Sequence, residues 1–377
     1  MALRETLIAR SIVYAILTSK ENGDPARKPS LVARFLRLFY IYWLSFRLVR
    51  EDLFKTLRGV WQIKEDDYRD SFVFKKQKLK KEKDRRALVP MGDLGYSGST
   101  FFHTKDGAYL VKSIPRHFEH SFFKNSMLVP YADHMRANRS SLLVRITNFL
   151  ENTHKTIGVI LGLTPSHHIV MENLMHGYDQ ESQGSSDSKW EMFDLKPTSY
   201  FFPERDIAGG SLASEATKSK LADDFNDKIR LSEAQATEFT RQLENDTMLL
   251  ANCNAIDYSL FLVRISAADA PETESEPTIP SEQANTEPGS VAQPPYSPLD
   301  PPSWRTGITS SDGKEVYRAA ILDFFWAKHT AYAKVMTGLV RGYNLIDEQG
   351  PMSITADSKE YRDRFLKMCL ELVEVQE

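Results

Sequence analysis

Cysteine is nearly absent from this 377-residue chain, which has only Cys253 and Cys369. Two widely separated cysteines provide neither a disulfide framework nor the paired spacing of a structural zinc site, so the composition indicates a reducing environment. The net charge is also small, with a formal value of −3, which argues against a protein that coats nucleic acid. We therefore expect no nucleic-acid partner, and any attraction to an anionic surface must come from a local patch.

Long apolar runs are missing as well. The most apolar window, LFYIYWLSF at 38–46, is far shorter than the roughly 20 residues that a membrane-spanning helix needs. The first residues, MALRETLIARS, carry charges where the apolar core of a secretory signal would lie. These features predict a cytoplasmic location, where any membrane association would be peripheral.

Residues 1–50 are predicted to form a separate helical segment, because apolar residues recur at near-helical spacing from Leu31 to Phe46. This pattern favours helices that pack on the rest of the protein or on a second copy, which would give a homodimer through the N-terminal helices. Arginines flank the same aromatic stretch, so an interfacial membrane helix stays open as the alternative.

From residue 99 onward, the pattern alternates between strands and helices. Asp106-Gly107 between two apolar runs predicts a β-hairpin, since this turn needs a positive φ. Ser232, with Gln235 three residues later, predicts the start of a capped helix. Apolar runs predict further strands at 142–149, 156–163, 168–174, 189–196, 256–265 and 315–324. Further helices are predicted at 116–123, after Trp326 and from Lys359 onward.

Two segments stand out by their charge. Residues 267–300 contain seven acidic residues, seven prolines and neither lysine nor arginine, so we expect a disordered insert that cannot bury a core. Residues 75–86, KKQKLKKEKDRR, contain eight basic and two acidic residues. This run directly precedes a glycine-rich turn and is therefore expected to lie beside whatever that turn binds.

Four polar features then follow one another along the chain. The turn GYSGSTFF at 95–102 opens the hairpin, and Lys112 lies near the end of the second hairpin strand. Asp194-Leu195-Lys196 ends a mid-chain strand, and Asp323 ends a late one. Backbone N–H groups of such a turn can cover phosphates, a lysine can grip them, and carboxylates can orient an acceptor hydroxyl and hold Mg²⁺. Each feature alone is also typical of a plain turn or a strand end, but their order predicts phosphoryl transfer from ATP.

These stretches together resemble the phosphatidylinositol phosphate kinase family. The resemblance runs from about residue 51 to the end and is carried by GYSGSTFFHTKDGAYLVKSI (95–114), MENLM (171–175), FDLK (193–196), LENDTMLLANCNAIDYSLFLVRI (243–265), AAILDFF (319–325) and PMSITADSKEYRDRF (351–365). It implies an α+β, two-lobed fold of antiparallel sheets and helices, with an ATP cleft between the lobes. The implied catalytic domain is 51–377, with an N-lobe at about 51–175 and a C-lobe at about 176–377 that carries the 267–300 insert.

The resemblance also implies catalytic and metal-binding roles. Asp194 would orient the inositol hydroxyl, and Lys196 would steady the transferred charge. Asp323 would bind Mg²⁺. Asp257 could assist in metal binding, although a role in a turn explains it equally well.

Further residues are implied to contact ATP. Lys112 would hold its phosphates, with Glu119 as the helix partner of the lysine. The other expected contacts are Gly95, Ser97, Gly98, Ser99, Met171, Asn173 and Leu174.

Some positions depart from the family pattern. Pro197 follows Asp-Leu-Lys where the family has glycine, and Arg264 replaces another glycine. Within the family, the short sequences MENL, NDT and PMSIT resemble the phosphatidylinositol-3-phosphate 5-kinase branch. Two functions therefore remain open: phosphorylation of the inositol ring of a phosphatidylinositol phosphate at a membrane surface, or a catalytically weak or inactive kinase-like domain that binds phosphoinositides or a protein.

The basic run Lys75–Arg86 yields a first prediction about membrane contact. Each basic residue near an anionic leaflet contributes roughly 1 kcal/mol within a Debye length. Five changes to glutamate should therefore weaken binding to anionic vesicles at least about tenfold, at Lys75, Lys76, Lys78, Lys80 and Lys81. Sedimentation with vesicles at rising salt measures this, and unaltered binding at low salt would mean that the run is only a solvated loop.

Overall fold

The computed structural model describes residues 3–19, 44–73, 87–91, 99–154, 156–160, 164–178, 188–197, 225–267, 303–327 and 356–376. Helices and largely antiparallel sheets make up these ranges, so the predicted α+β class is confirmed. The helices are α1 (Leu3–Thr18), α2 (Glu51–Val60), α3 (Glu65–Asp70), α4 (His117–Phe122), α5 (Leu128–Ala137), α6 (Ile157–Ile160), α7 (Glu233–Asn252) and α8 (Ser358–Glu371).

The strands are β1 (Phe46–Leu48), β2 (Leu88–Met91), β3 (Phe101–Thr104), β4 (Tyr109–Ser113), β5 (Ile146–Asn152), β6 (His167–Glu172), β7 (Ser188–Leu195), β8 (Ile229–Leu231), β9 (Ala255–Ile256), β10 (Ser259–Ala267), β11 (Ile308–Thr309), β12 (Glu315–Leu322), β13 (Trp326–Ala327) and β14 (Val373–Val375). Strands β1 to β6 form one antiparallel sheet in the order β1-β5-β6-β4-β3-β2. A second antiparallel sheet has the order β11-β12-β10-β7.

The predicted Asp106-Gly107 hairpin is confirmed and joins β3 to β4. Gly107 has a φ of +71°, which a glycine adopts without steric cost. The carboxylate of Asp106 accepts hydrogen bonds from the Ala108 N–H at 3.1 Å and the Thr104 hydroxyl at 2.5 Å. This local turn chemistry fixes the register in which Phe101 lies opposite Lys112.

Topology brings two acidic strand ends together in the smaller sheet. The central strand β10 pairs antiparallel with both β7 and β12, so these two strands run in the same direction. Asp194 lies opposite Phe261 near the end of β7, and Leu322 lies opposite Ser259 at the end of β12. Asp194 and Asp323 therefore lie at the same end of this sheet, where β7 and β12 both finish.

A short segment before β5 joins the two sheets. The Ile321 N–H donates to the Leu142 carbonyl at 2.7 Å, and the Val144 N–H donates to the Ile321 carbonyl at 3.1 Å. Asp246 of α7 is buried and fixes this segment by accepting from the Leu142 N–H at 2.5 Å and the Ser141 hydroxyl at 2.7 Å. The end of β12 is thus tied to the chain that enters the larger sheet.

The two long C-terminal helices follow their sequence signals. The predicted capping box is confirmed: the Ser232 hydroxyl accepts from the Gln235 N–H, and the Gln235 side chain accepts from the Ser232 N–H. Helix α8 begins at Ser358, one residue before the predicted start. Within the described ranges, no helix has both the length and the apolar character required to cross a membrane.

Two local predictions are wrong. Phe46–Leu48 is a strand rather than the end of a helix, because its backbone pairs with β5 and Arg47 forms an ion pair with Glu151 across the strands. The predicted strand at 156–163 begins instead with the helical turn α6, since the Thr156 hydroxyl accepts from the Val159 N–H at 3.3 Å in the manner of a helix cap.

Other predictions fall on the parts of the chain that the structure does not describe. They concern most of the helical stretch of 1–50, the basic run Lys75–Arg86, the helix after Trp326 and the insert. Of the insert, only Ala267 is described, as the last residue of β10.

Three buried histidines lie at and beside the start of β6. Burial lowers the pKa of His168 to about 3 and that of His167 to about 4. Burial also lowers the pKa of His120 to about 3, and its ring stacks on His167 with centroids 3.6 Å apart. Within the described residues, neither ring nitrogen of His168 has a hydrogen-bond partner. The folded protein therefore holds these rings in their neutral form.

These histidines predict that the fold loses stability under mild acid. The unfolded chain takes up a proton on each ring near pH 6.5, whereas the folded protein does so only near pH 3 to 4. Stability is therefore complete above pH 6.5 and falls below it, by about 1 kcal/mol per ring between about pH 7.5 and 5.5. Urea unfolding at the two pH values measures the loss. In His168→Leu, the loss of unfolding free energy between the two pH values should be smaller by the contribution of one histidine. An unchanged pH dependence in this variant would contradict the assignment.

Candidate active site

A cavity opens where the two sheets meet, and both sheets contribute to its walls. Its charged residues include Lys112 from β4, Asp194 from β7 and Asp323 directly after β12. Apolar side chains form much of the remaining wall, among them Phe101, Leu110, Met171, Leu174, Met192 and Phe261. The cavity thus combines an apolar slot with a cluster of opposite charges at one end.

Lys112 and Asp323 form an ion pair inside this cavity. The lysine side chain is only 9% exposed and the aspartate 36%. The Lys112 ammonium also lies 5.4 Å from the ring centroid of Phe101, at a distance suited to a cation–π contact. Burial acts to raise the pKa of Asp323, but Lys112 and Lys196 outweigh it, so the net shift is downward. Asp323 is therefore held as a carboxylate.

The backbone at Asp323 adopts a conformation that is uncommon for a residue other than glycine. Its φ is +63°, and such strain is typical of functional sites that the surroundings over-determine. Phe324 and Phe325 follow directly and are buried. Phe324 stacks on Tyr131, and Phe325 packs edge-on against Phe123. These ring contacts hold the strained turn in place.

Asp194 lines the same cavity but has a different electrostatic environment. Burial raises the pKa of its carboxyl group above the ordinary value, while Lys196 opposes this shift and the carboxylate of Asp323 adds to it. The Lys196 ammonium lies 3.2 Å from Asp257. Burial acts to lower the pKa of Lys196, but Asp257 and Asp194 outweigh it, so the net shift is upward. The two cavity carboxyls are thus shifted in opposite directions, as expected for groups with different tasks.

The structure brings together six of the residues singled out in the sequence. Lys112, Met171, Asn173, Leu174, Asp194 and Asp323 all line the cavity. Lys196, Asp257, Ser99 and Glu119 are not among the described residues that line it. Glu119 forms its ion pair with Arg116, at 3.3 Å, rather than with Lys112. Gly95, Ser97 and Gly98 lie outside the described residues.

A family model described as Phosphatidylinositol-4-phosphate 5-Kinase matches residues 82–372. The chain belongs to this phosphatidylinositol phosphate kinase family.

Curated relatives agree with this membership at low identity. The chain is 26% identical to phosphatidylinositol 4-phosphate 5-kinase 4 of Arabidopsis thaliana over 214 residues, which is 56% of this chain and 24% of the relative. It is 27% identical to a probable phosphatidylinositol phosphate kinase of Dictyostelium discoideum over 198 residues, or 52% of this chain and 24% of the relative. The matched region therefore spans about a quarter of these relatives. The resemblance to the phosphatidylinositol-3-phosphate 5-kinase branch stays a prediction.

In this family member, the segment that follows β6 is fixed by buried polar contacts. The Asn173 side chain donates to the Gly107 carbonyl at 2.7 Å and accepts from the Met175 N–H at 3.1 Å. Arg318 of β12 is fully buried and donates to the carbonyls of Leu174 and His176 at 2.9 and 2.8 Å. The Asn173 amide thus positions one wall of the cavity through contacts within the protein.

Glu172 is a cavity residue that the sequence did not reveal as special. Its carboxylate accepts a bifurcated hydrogen bond from the Nε–H of Arg305, with the two oxygens at 3.0 and 3.1 Å, and a second hydrogen bond from the backbone N–H of Arg145 at 2.8 Å. Arg305 also donates to the Leu143 carbonyl at 2.6 Å. The two ionic side chains are almost wholly buried, yet they lie 133 positions apart in the sequence.

The unexpected Arg264 is also accounted for by ion pairs. It lies on β10 and contacts Glu191 and Asp227, both at 2.6 Å, and Glu315 at 3.4 Å. These carboxylates come from both neighbouring strands and from the segment before β8. Arg264 therefore stabilises the side of the smaller sheet that lies away from Asp194.

The buried Glu172–Arg305 pair yields a stability prediction. Arg305→Met should lower the free energy of unfolding by about 3–5 kcal/mol, because it leaves a buried carboxylate without its counter-charge. Adding Glu172→Gln should recover much of the loss, since the amide oxygen can still accept from the Arg145 N–H. Urea unfolding measures all three proteins.

The matched control is Arg241→Met, because Arg241 pairs with Glu238 on the surface of α7 with half of each side chain exposed. Such a pair contributes less than about 1 kcal/mol. Equal losses from Arg305→Met and Arg241→Met would contradict the importance of the buried pair.

Proposed function

We propose that this protein transfers the γ-phosphoryl group of ATP to a hydroxyl of the inositol ring of a phosphatidylinositol phosphate. The observation that carries the proposal is the convergence of Lys112, Asp194 and Asp323 on one cavity. Lys112 and Asp194 lie on strands of different sheets and Asp323 directly follows a third strand, so the fold brings these charges together from distant parts of the chain. Membership of the kinase family supports the same conclusion.

Each cavity charge has a task in such a reaction. Lys112 would bind phosphate oxygens of ATP, since its ammonium lies at the wall of the slot and carries a positive charge there. Asp194 would accept a hydrogen bond from the attacking hydroxyl and orient it. Lys196, just beyond Asp194 and held by Asp257, would offset the negative charge that spreads over the transferred group. The protein positions these charges and forms no covalent intermediate.

The carboxylates fit a magnesium ion that enters with the nucleotide. Mg²⁺ is commonly bound by one or two carboxylates together with substrate phosphates, rather than by a full protein cage. In the described part of the chain no group of three potential metal ligands is present, whereas Asp323 and Asp194 line the same cavity. Asp323, held ionised, would be the principal ligand, and Asp257 remains a second candidate. Bound Mg²⁺ would neutralise charge on the transferring phosphate.

The cavity also supports a two-lobed arrangement as part of this proposal. The larger sheet would belong to an N-lobe within about 51–175 and the smaller sheet to a C-lobe within about 176–377. ATP would lie between them with its base in the apolar part of the slot. A lipid substrate would require contact with a membrane surface from the cytoplasmic side, for which the basic run Lys75–Arg86 is the proposed attachment.

Three variants test the proposal. Lys112→Met, Asp194→Asn and Asp323→Asn each remove one charge that acts on the transferring group. Each should lower lipid phosphorylation more than about a hundredfold. The assay follows transfer of labelled phosphate from ATP to a panel of phosphatidylinositol phosphates in mixed vesicles, so it also reports the preferred lipid.

Asp133→Asn is the matched control, because Asp133 is an exposed aspartate on α5 that lies outside the cavity. This variant should retain full activity. A folded Asp194→Asn protein with full activity would overturn the proposed chemistry. Wild-type protein that binds ATP but phosphorylates no lipid would instead support a kinase-like binding module, a possibility that the proline at 197 raises.

A further inference from the structure

One cavity residue, His103, has no place in the phosphoryl-transfer chemistry described above. It lies on β3, two residues beyond Phe101, and both side chains face the cavity. Phe102, between them, points to the opposite face and is buried in the core. This alternation is that of a regular strand, so the imidazole is presented to the cavity by the backbone itself.

The strand register places His103 toward the end of the cavity that lies away from Lys112. Phe101 lies opposite Lys112, which marks the charged end. His103 lies opposite Leu110, which in turn lies opposite Met171. Successive residues on the same face of a strand are about 6.6 Å apart. The His103 row is therefore displaced by that distance from Lys112, toward the apolar end formed with Met171 and Leu174.

A hydrogen bond fixes which nitrogen of His103 can act as an acceptor. Its Nδ1 lies 2.9 Å from the Thr104 carbonyl oxygen. A carbonyl oxygen can only accept, so Nδ1 of the neutral ring carries the hydrogen and donates it. Nε2 then retains its lone pair and can accept a hydrogen bond from a ligand.

Other polar groups at this end of the cavity are already engaged. The Asn173 side chain binds the Gly107 carbonyl and the Met175 N–H. The Glu172 carboxylate is held by Arg305 and the Arg145 N–H. Among the described side chains there, His103 Nε2 and the hydroxyl of Tyr178 are the polar atoms left for a ligand. The Tyr178 hydroxyl can both donate and accept a hydrogen bond, whereas Nε2 of the neutral imidazole can only accept one.

We propose that His103 Nε2 accepts a hydrogen bond from the nucleoside half of ATP and so helps to select the nucleotide. This inference rests on the proposed function, which places the phosphates at Lys112 and hence the nucleoside at the His103 row. The donor on the ligand is either a ribose hydroxyl or the exocyclic amino group of the base. His103 is thereby a specificity-determining residue rather than a catalytic one.

The test measures binding of four nucleotides, each with Mg²⁺, by isothermal titration calorimetry: ATP, 2′-deoxy-ATP, 3′-deoxy-ATP and inosine triphosphate. In the wild-type protein, the analogue that lacks the bonded donor should bind about tenfold more weakly than ATP. His103→Val should weaken ATP binding by about the same factor and abolish the penalty for that analogue. His103→Gln, whose side-chain oxygen can accept a hydrogen bond, should restore part of both effects.

His117→Val is the matched control, since His117 is an exposed histidine on α4 that does not line the cavity. It should leave all four affinities unchanged. If His103→Val binds all four nucleotides with the wild-type affinities, the inference is overturned. It is also overturned if His103→Val loses the same factor of affinity for every nucleotide. Wild-type protein that binds none of the four would instead count against the proposed function itself.

Discussion

The ion pair between Lys112 and Asp323 is the interaction on which the rest of the site depends. It joins two residues that are 211 positions apart, Lys112 on β4 of the larger sheet and Asp323 directly after β12 of the smaller sheet. Because the lysine is almost buried, its charge requires a nearby counter-charge, and the end of β12 supplies it. Any element that fixes β12 relative to β4 therefore also fixes the distance between the cation and the carboxylate of the cavity.

Several buried contacts provide that fixation, and each has a clear physical basis. Asp246 holds the segment at Leu142, and Leu142 in turn binds Ile321, two residues before Asp323. The rings of Phe324 and Phe325 pack immediately behind the strained aspartate. Burial and hydrogen bonding of these groups stabilise the fold. The groups position Asp323 although they do not line the cavity themselves. The same contacts explain how an uncommon backbone conformation persists at Asp323.

The predictable parts of this structure are those whose chemistry is complete within a few residues. Asp106-Gly107 specifies its hairpin, and Ser232 with Gln235 specifies the start of α7, because the bonding partners lie within the same turn. The strand ends at Asp194 and Asp323 followed from apolar runs and from the family resemblance. Contacts between distant segments could not be predicted in this way. Arg305 finds Glu172 across 133 positions, and Phe46 leaves its helical pattern because β5 offers a strand to pair with. His103 was not predicted as a site residue, because the alternation of a strand indicates which residues share a face but not whether that face lines a cavity.

The most direct test of the central claim is a calorimetric titration of the protein with ATP, carried out with and without Mg²⁺. If Lys112 binds the phosphates and Asp323 holds the ion, the wild-type protein should bind ATP far more tightly when Mg²⁺ is present. Asp323→Asn should then lose this dependence on Mg²⁺, whereas Lys112→Met should weaken binding under both conditions. ATP binding that is indifferent to Mg²⁺ in the wild type, or an Asp323→Asn protein that keeps the full dependence, would contradict the account.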